Sequence, residues 1–299
     1  MYKKCIVFAL AMLLCAGCTK APASETATPG TLGSTLSPIP TVESTQSQPS
    51  QLAQTVLVDN DDLLFKIIST ETDSIWGYTW KIYLENKTNE DLMFSLQDVS
   101  VNGYMCDPYF ATTVNAGMKA NKEISFLKEQ FQQIGIREVT QVEFTLQVYN
   151  ANDWTEDAVW SETYRLYPLG EAADKEYPRQ EMPEDIVLFD NDVATMIITG
   201  FEPDSIWGYN ANVYLVNKTD DTLMFSVGEA SVNGFMCNPY FAKSVTPGKQ
   251  CITSISWSKN ALEENGITQV QELRLPIRVY DADDWDGEYL LEETFTVKP

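Results

Sequence analysis

The sequence predicts an all-β chain: two tandem antiparallel β-sandwiches, each with one short helix, behind a disordered N-terminal stalk. Three observations carry this. Residues 56–168 align without a gap to 187–299 at a constant offset, and about 48 of about 113 positions are identical, the mark of a repeated structural unit. Apolar residues inside each repeat alternate with period two, as they do in a strand with one buried face. The segment before the first repeat has almost no large apolar residues.

The elements follow in chain order. Lys3 and Lys4 precede the apolar run 6–14 and the small pair Ala16-Gly17, the order of a secretory signal and too short for a span of roughly 20 residues. Cys18 follows directly, so Ala16-Gly17-Cys18 resembles the lipobox of bacterial lipoproteins, although Cys15 stands where that family usually has Leu. The resemblance implies a signal peptide over 1–17, a diacylglyceryl group on the Cys18 thiol and anchoring to the outer face of a bacterial cell membrane. An ordinary signal cleaved near Ala16 is the alternative. Residues 18–54, rich in Ser, Thr, Pro, Ala and Gln, are expected to be a disordered stalk, because they cannot bury enough surface to offset ordering.

Repeat 1, over 55–168, is expected to carry strands near 54–59, 63–70, 91–101, 111–115, 121–127 and 158–166. Trp76, Tyr78, Trp80, Ile82 and Leu84 alternate on one face, and Val142, Phe144, Leu146 and Val148 on another. In repeat 2, over 187–299, Trp207, Tyr209, Ala211, Val213 and Leu215 match the first set, and Leu273, Leu275, Ile277 and Val279 the second. Pro276 interrupts that last run. It lacks a ladder N–H, so its strand is expected to lie at a sheet edge or to have a bulge there. Short helices are expected at 128–134 and 259–265, stopped by Gly135 and Gly266. Seven or eight short strands in a unit of this size suit a two-sheet sandwich. Residues 169–186, charged and with two prolines, read as a partly stiff linker between units that would bind one extended target with raised avidity.

The motifs Asn-Lys-Thr, Leu-Met-Phe-Ser, Ser-Val-Asn-Gly, Met-Cys-(Asp/Asn)-Pro-Tyr-Phe-Ala and Val-Tyr-(Asn/Asp)-Ala-(Asn/Asp)-Asp-Trp occur in both repeats. Together they resemble a family of exported proteins of Gram-positive anaerobes, with immunoglobulin-like modules carried on bacterial lipoproteins. The resemblance covers nearly all of both repeats and implies a fold and a location, with no activity attached.

Composition narrows the chemistry. The net charge is −23 and the chain has no histidine. Nucleic acid is an unfavourable partner, since phosphate contact needs clustered Lys and Arg. Ser-His-Asp, Cys-His and His-containing zinc arrangements are ruled out by residue type. A paired-carboxylate enzyme needs no histidine and is the remaining catalytic option; the reading favoured is non-enzymatic. Cys106 and Cys237 occupy equivalent positions, whereas Cys251 faces Ala120 in the alignment, so a Cys237–Cys251 bridge is no shared requirement of the fold. Small buried apolar roles are expected for Cys106 and Cys237.

Two sets of candidate binding residues stand out. Tyr109, Trp154, Tyr240 and Trp285 sit in turns beside polar residues, where rings stack on a sugar or anchor a protein; the competing reading makes them lids on the sandwich core. Asp281, Asp283, Asp284 and Asp286 offer oxygen ligands for calcium, but Trp285 breaks the order of an EF-hand loop, and the reading favoured is a solvated turn whose carboxylates accept backbone N–H bonds. No cofactor other than calcium is suggested. The expected function is binding or adhesion at the cell surface, to a surface protein or a glycan, with membrane contact through the lipid. A carbohydrate-binding role and a purely structural envelope spacer are the alternatives.

Overall fold

In the computed structural model the described residues are 50–299, apart from Trp76, Tyr109, 128–130, 133–134, Trp154, Glu156, Trp207 and Trp285. The signal, Cys18 and nearly all of the expected stalk therefore lie outside them. Among the described residues, no helix is long and apolar enough to cross a membrane.

Repeat 1 contains β1 (Thr55–Asp59), β2 (Leu63–Ser74), β3 (Gly77–Asn86), β4 (Leu92–Val101), β5 (Tyr104–Met105), β6 (Ala111–Val114), β7 (Lys119–Leu127), β8 (Val142–Asn150) and β9 (Trp160–Leu166). One sheet runs β1-β2-β3-β7. The other runs β5-β4-β8-β9, with β6 also on β4. Every described pair within the repeat is antiparallel. The chain changes sheet between β3 and β4, between β6 and β7, and again between β7 and β8. This is the handover of an immunoglobulin-like sandwich. Repeat 2 repeats the plan with β10 (Ile186–Asp190), β11 (Ala194–Ser205), β12 (Gly208–Asn217), β13 (Leu223–Val227), β14 (Ser231–Val232), β15 (Phe235–Met236), β16 (Ala242–Val245), β17 (Gln250–Ser258), β18 (Leu273–Asp281) and β19 (Leu291–Val297).

The alternating faces fill the cores. Trp80, Ile82 and Leu84 of β3 and Val142, Phe144, Leu146 and Val148 of β8 are completely buried, and so are Ala211, Val213 and Leu215 of β12 and the β18 set. The Trp80 and Phe144 rings meet edge to face across the two sheets, with centroids 5.6 Å apart. Such a pair adds about 0.5–1.5 kcal/mol to the burial of the rings. Pro276 is not at an edge, because β18 pairs with β19 on one side and with β13 and β14 on the other. It lies opposite the break between β13 and β14, where the Pro276 carbonyl accepts from Gly228 N–H at 2.7 Å. The irregularity costs no ladder bond there. In repeat 1 the same place is a register shift between Gln97 and Ser100, with Asp98 at φ 52°.

The helix α1 (Lys259–Glu264) is where the sequence places it. Ser258 caps it by accepting from Ala261 N–H, and Gly266 turns left-handed just beyond it. Of the counterpart expected at 128–134, only 131–132 are described, and they are helical.

One connection reads differently from an ordinary hairpin loop. Asn86 and Asn217, at the ends of β3 and β12, are buried with their amides fully engaged. Asn86 Nδ2 donates to the carbonyls of Glu90 and Val114, while Oδ1 accepts from the N–H and hydroxyl of Thr88. Asn217 makes the same four bonds to Asp221, Val245 and Thr219. Each amide thus ties one sheet to the strand that opens the return from the other. The following lysine closes the knot: Lys87 reaches Asp59 and the Asn60 carbonyl, and Lys218 reaches Asp190 and the Asn191 carbonyl.

Candidate functional site

Of the four turn aromatics, Tyr109, Trp154 and Trp285 lie outside the described residues. Tyr240 is described and 75% exposed. Its backbone pairs with Ser256 of β17 through two hydrogen bonds, so the ring projects from a fixed backbone position. In the acidic turn, the Asp281 carboxylate accepts from Asp283 N–H at 2.9 Å, and backbone bonds Asp284 N–H to Asp281 and Gly287 N–H to Asp284 close the turn. Asp283, Asp284 and Asp286 belong to the same turn. Among the described residues, no group of three or more acidic, Cys or His side chains is placed to hold a metal ion.

The sequence did not flag the junction between the repeats, which is built on β5. Asn102 and Gly103 both take positive φ, 51° and 83°, and turn the chain from β4 back into β5. An Asn-Gly pair between apolar residues is a strong two-residue hairpin signal, and it was the clue available in the sequence. The buried Asn102 amide fixes the turn: Oδ1 accepts from Thr140 and Gln141, and Nδ2 donates to the Glu138 carbonyl. The outer side of β5 then pairs in parallel with β17 of repeat 2, where Gln250 N–H donates to the Gly103 carbonyl at 2.9 Å. One sheet therefore runs unbroken from β10 in repeat 2 to β9 in repeat 1.

Side chains reinforce the pairing. Lys249 meets Glu143 at 3.2 Å with both side chains largely buried, and Lys243 meets Asp107 at 2.7 Å. Thr246 touches the Met105 sulfur. Tyr104 is buried, Tyr214 and Ile252 pack on the first core, and Met105 packs on the second. Burial pushes the Glu143 carboxyl up, but Arg165 and Lys249 outweigh it and hold it below the usual carboxylate range.

Residues 174–182 cross this junction as a strap. Gln141 donates to Asp174, Tyr104 donates its hydroxyl proton to the Tyr177 carbonyl, and Tyr177 donates to the Glu138 carbonyl. On the other side Arg179 forks onto Asp185 and lies over the Tyr214 ring, 5.4 Å from its centroid. The Arg179 hydrogen bonds hold the Asp185 carboxyl below its ordinary range. A hollow opens on each side of the strap. One, of about 780 Å³, is lined by Gln141, Lys175, Tyr177, Arg179, Tyr214 and Lys218 among others. The second, of about 710 Å³, includes Tyr104, Glu176, Glu202, Asn212 and Ser254. Both mix aromatic faces with donors and acceptors, and both have acidic residues in their walls, Asp174, Glu176, Glu181 and Asp190 in the first and Glu176 and Glu202 in the second.

All three described cysteines are free thiols and buried. Burial raises the Cys106 thiol to about 12 and the Cys251 thiol to about 11. Both stay protonated at neutral pH and neither is an activated nucleophile.

No protein-family model matches the chain, and no curated protein does. Among solved structures it is similar to a transglutaminase of red sea bream, at 11% identity and a TM-score of 0.22. The match covers 80% of this chain and 31% of that one, so the chain spans about a third of that protein.

Proposed function

We propose that the chain is an exported, lipid-anchored surface protein that binds without catalysis, and that the strapped junction is its ligand seat. The observation that supports this is the pair of hollows beside residues 174–182. Their volumes, about 780 and 710 Å³, are those of small-ligand sites. Their walls offer the flat rings of Tyr177 and Tyr214 beside charged and amide groups, a chemistry that suits a glycan better than an apolar ligand. The exposed ring of Tyr240 is a second contact point of the same kind on repeat 2. The anchor rests on the Ala16-Gly17-Cys18 sequence.

A glycan array probed with the full chain tests the ligand class. Hits that disappear in Tyr177→Ala support the junction as the seat; hits that survive it but vanish in Tyr240→Ala move the seat to the repeat 2 loop. An array without hits sinks the glycan reading. The anchor is tested separately, by incorporation of an alkynyl fatty acid in vivo, which Cys18→Ser should abolish.

A further inference from the structure

The junction is made from one half of each repeat, which leaves the other two halves unused. Repeat 1 contributes its β5 edge and repeat 2 its β17 edge. The counterpart of β5 is β15, and the counterpart of β17 is β7. Among the described residues, β15 pairs only with β14, and β7 pairs only with β3. Two of the open strand edges among the described residues therefore correspond, residue for residue, to the pair joined at the junction.

Exposure follows the same logic. Tyr104 of β5 is 2% exposed, whereas its counterpart Phe235 is 51% exposed and the adjoining Met236 is 68% exposed. Lys249 before β17 is 8% exposed, and its counterpart Met118 before β7 is 60% exposed. The turn that presents β15 is already formed: Asn233 and Gly234 take the same φ values as Asn102 and Gly103, and Asn233 is held by Gln269, Gln271 and Glu272 as Asn102 is held in repeat 1. Large apolar side chains on unpaired edges are features that proteins acting alone avoid.

We infer that a second copy of this chain is the partner of these edges, with β15 of one copy pairing in parallel with β7 of the next. The contact is head to tail. It uses different surfaces on the two copies, so it leaves one edge free at each end and extends beyond a dimer. Residue chemistry permits the fit. Glu143–Lys249 becomes Arg274 beside Met118, and Asp107–Lys243 becomes Asn238 beside Thr112. No like charges are brought together at these positions, and the arginine stem lies along a methionine. Both ion pairs of the internal junction are lost, so the external contact is weaker and reversible. The exposed Lys119 and Lys122 on β7 act in the same direction. Crowding on a membrane would favour such a contact, but the pairing does not depend on the lipid or on the glycan reading.

Two measurements test the inference on the full-length chain in detergent. In sedimentation equilibrium the weight-average protein mass should rise about twofold or more between roughly 10 and 500 µM, without a plateau at two copies. The double variant Phe235→Ser/Met236→Ser should stay at one copy while keeping its circular dichroism spectrum. Thr246 touches Met105 inside the chain, so the corresponding external pair is Asn115 and Met236. Asn115→Cys/Met236→Cys should give a ladder of oxidised multimers, and neither single variant should do so. One-copy mass at every concentration overturns the inference. So does a species that stops at two copies, or association that survives the serine variant.

Discussion

Lys249 of repeat 2 and Glu143 of repeat 1 form an ion pair at 3.2 Å beside the only hydrogen-bonded strand pairing between the repeats among the described residues. Neither residue keeps its identity in the opposite copy, where Met118 and Arg274 stand. The pair is thus a property of the junction and not of the sandwich. Lys249→Met imports the repeat 1 residue and should cost about 1–2 kcal/mol in urea unfolding. That is below the usual figure for a broken buried pair, because Arg165 still partners Glu143.

The same pair predicts an acid response. Glu143 and Asp185 both have folded carboxyl values below their unfolded ones. Their contribution is complete above the unfolded carboxylate range of about 4 and is lost as pH falls through the lower folded values. Thermal melts between about pH 7 and pH 2.5 should show a steep loss below about pH 4. Glu143→Gln should flatten that loss while leaving the neutral-pH curvature unchanged.

Asn86→Ala and Asn217→Ala should each cost about 2–3 kcal/mol, because each leaves one buried carbonyl, Val114 or Val245, and one part-buried N–H, Thr88 or Thr219, without its amide partner. Equal losses in the two variants, read by chemical denaturation, would show that the knot does the same work in both repeats. A much smaller loss in one would show that its loop is held by other contacts.

Gly208 turns into β12 at φ 139°, and a Cβ there would lie 2.1 Å from the Trp257 carbonyl oxygen. Gly208→Ala should destabilise by about 2–4 kcal/mol, since backbone and not a flexible side chain must move. Trp257→Ala should cost about 3–5 kcal/mol by emptying the core, whereas Cys251→Ala should cost under about 1.5 kcal/mol, because repeat 1 already carries Ala120 at that place.

Free thiols should be silent in the folded chain. Ellman's reagent at pH 8 should label Cys106, Cys237 and Cys251 only as the protein unfolds, with labelling rates that follow the urea transition. Fast labelling of any one of them in buffer would show that its burial is transient.

The sandwich was legible in the sequence because a strand with one buried face writes period two directly into the residues, as in Val142, Phe144, Leu146 and Val148. Gly266 marked the end of the helix equally well. Pro276 suggested an edge or a bulge in its own strand; the strand is internal, and the irregularity falls in its partners, between β13 and β14. The junction was harder to read. β5 has only two residues, too few for a periodic signal, and its partner β17 lies in the other repeat, far away in sequence. The Asn-Gly turn was a usable clue to the hairpin but not to what its outer edge would meet. Tyr240 is exposed, while the other three turn rings lie outside the described residues.

The continuous sheet has a geometric consequence. Two equivalent points on the repeats are held at one separation and one relative rotation, because the backbone itself spans the boundary. Loss of the bond between Gln250 and Gly103 would free that separation, so the spacing is set by β5 and β17 and not by residues 169–186 alone.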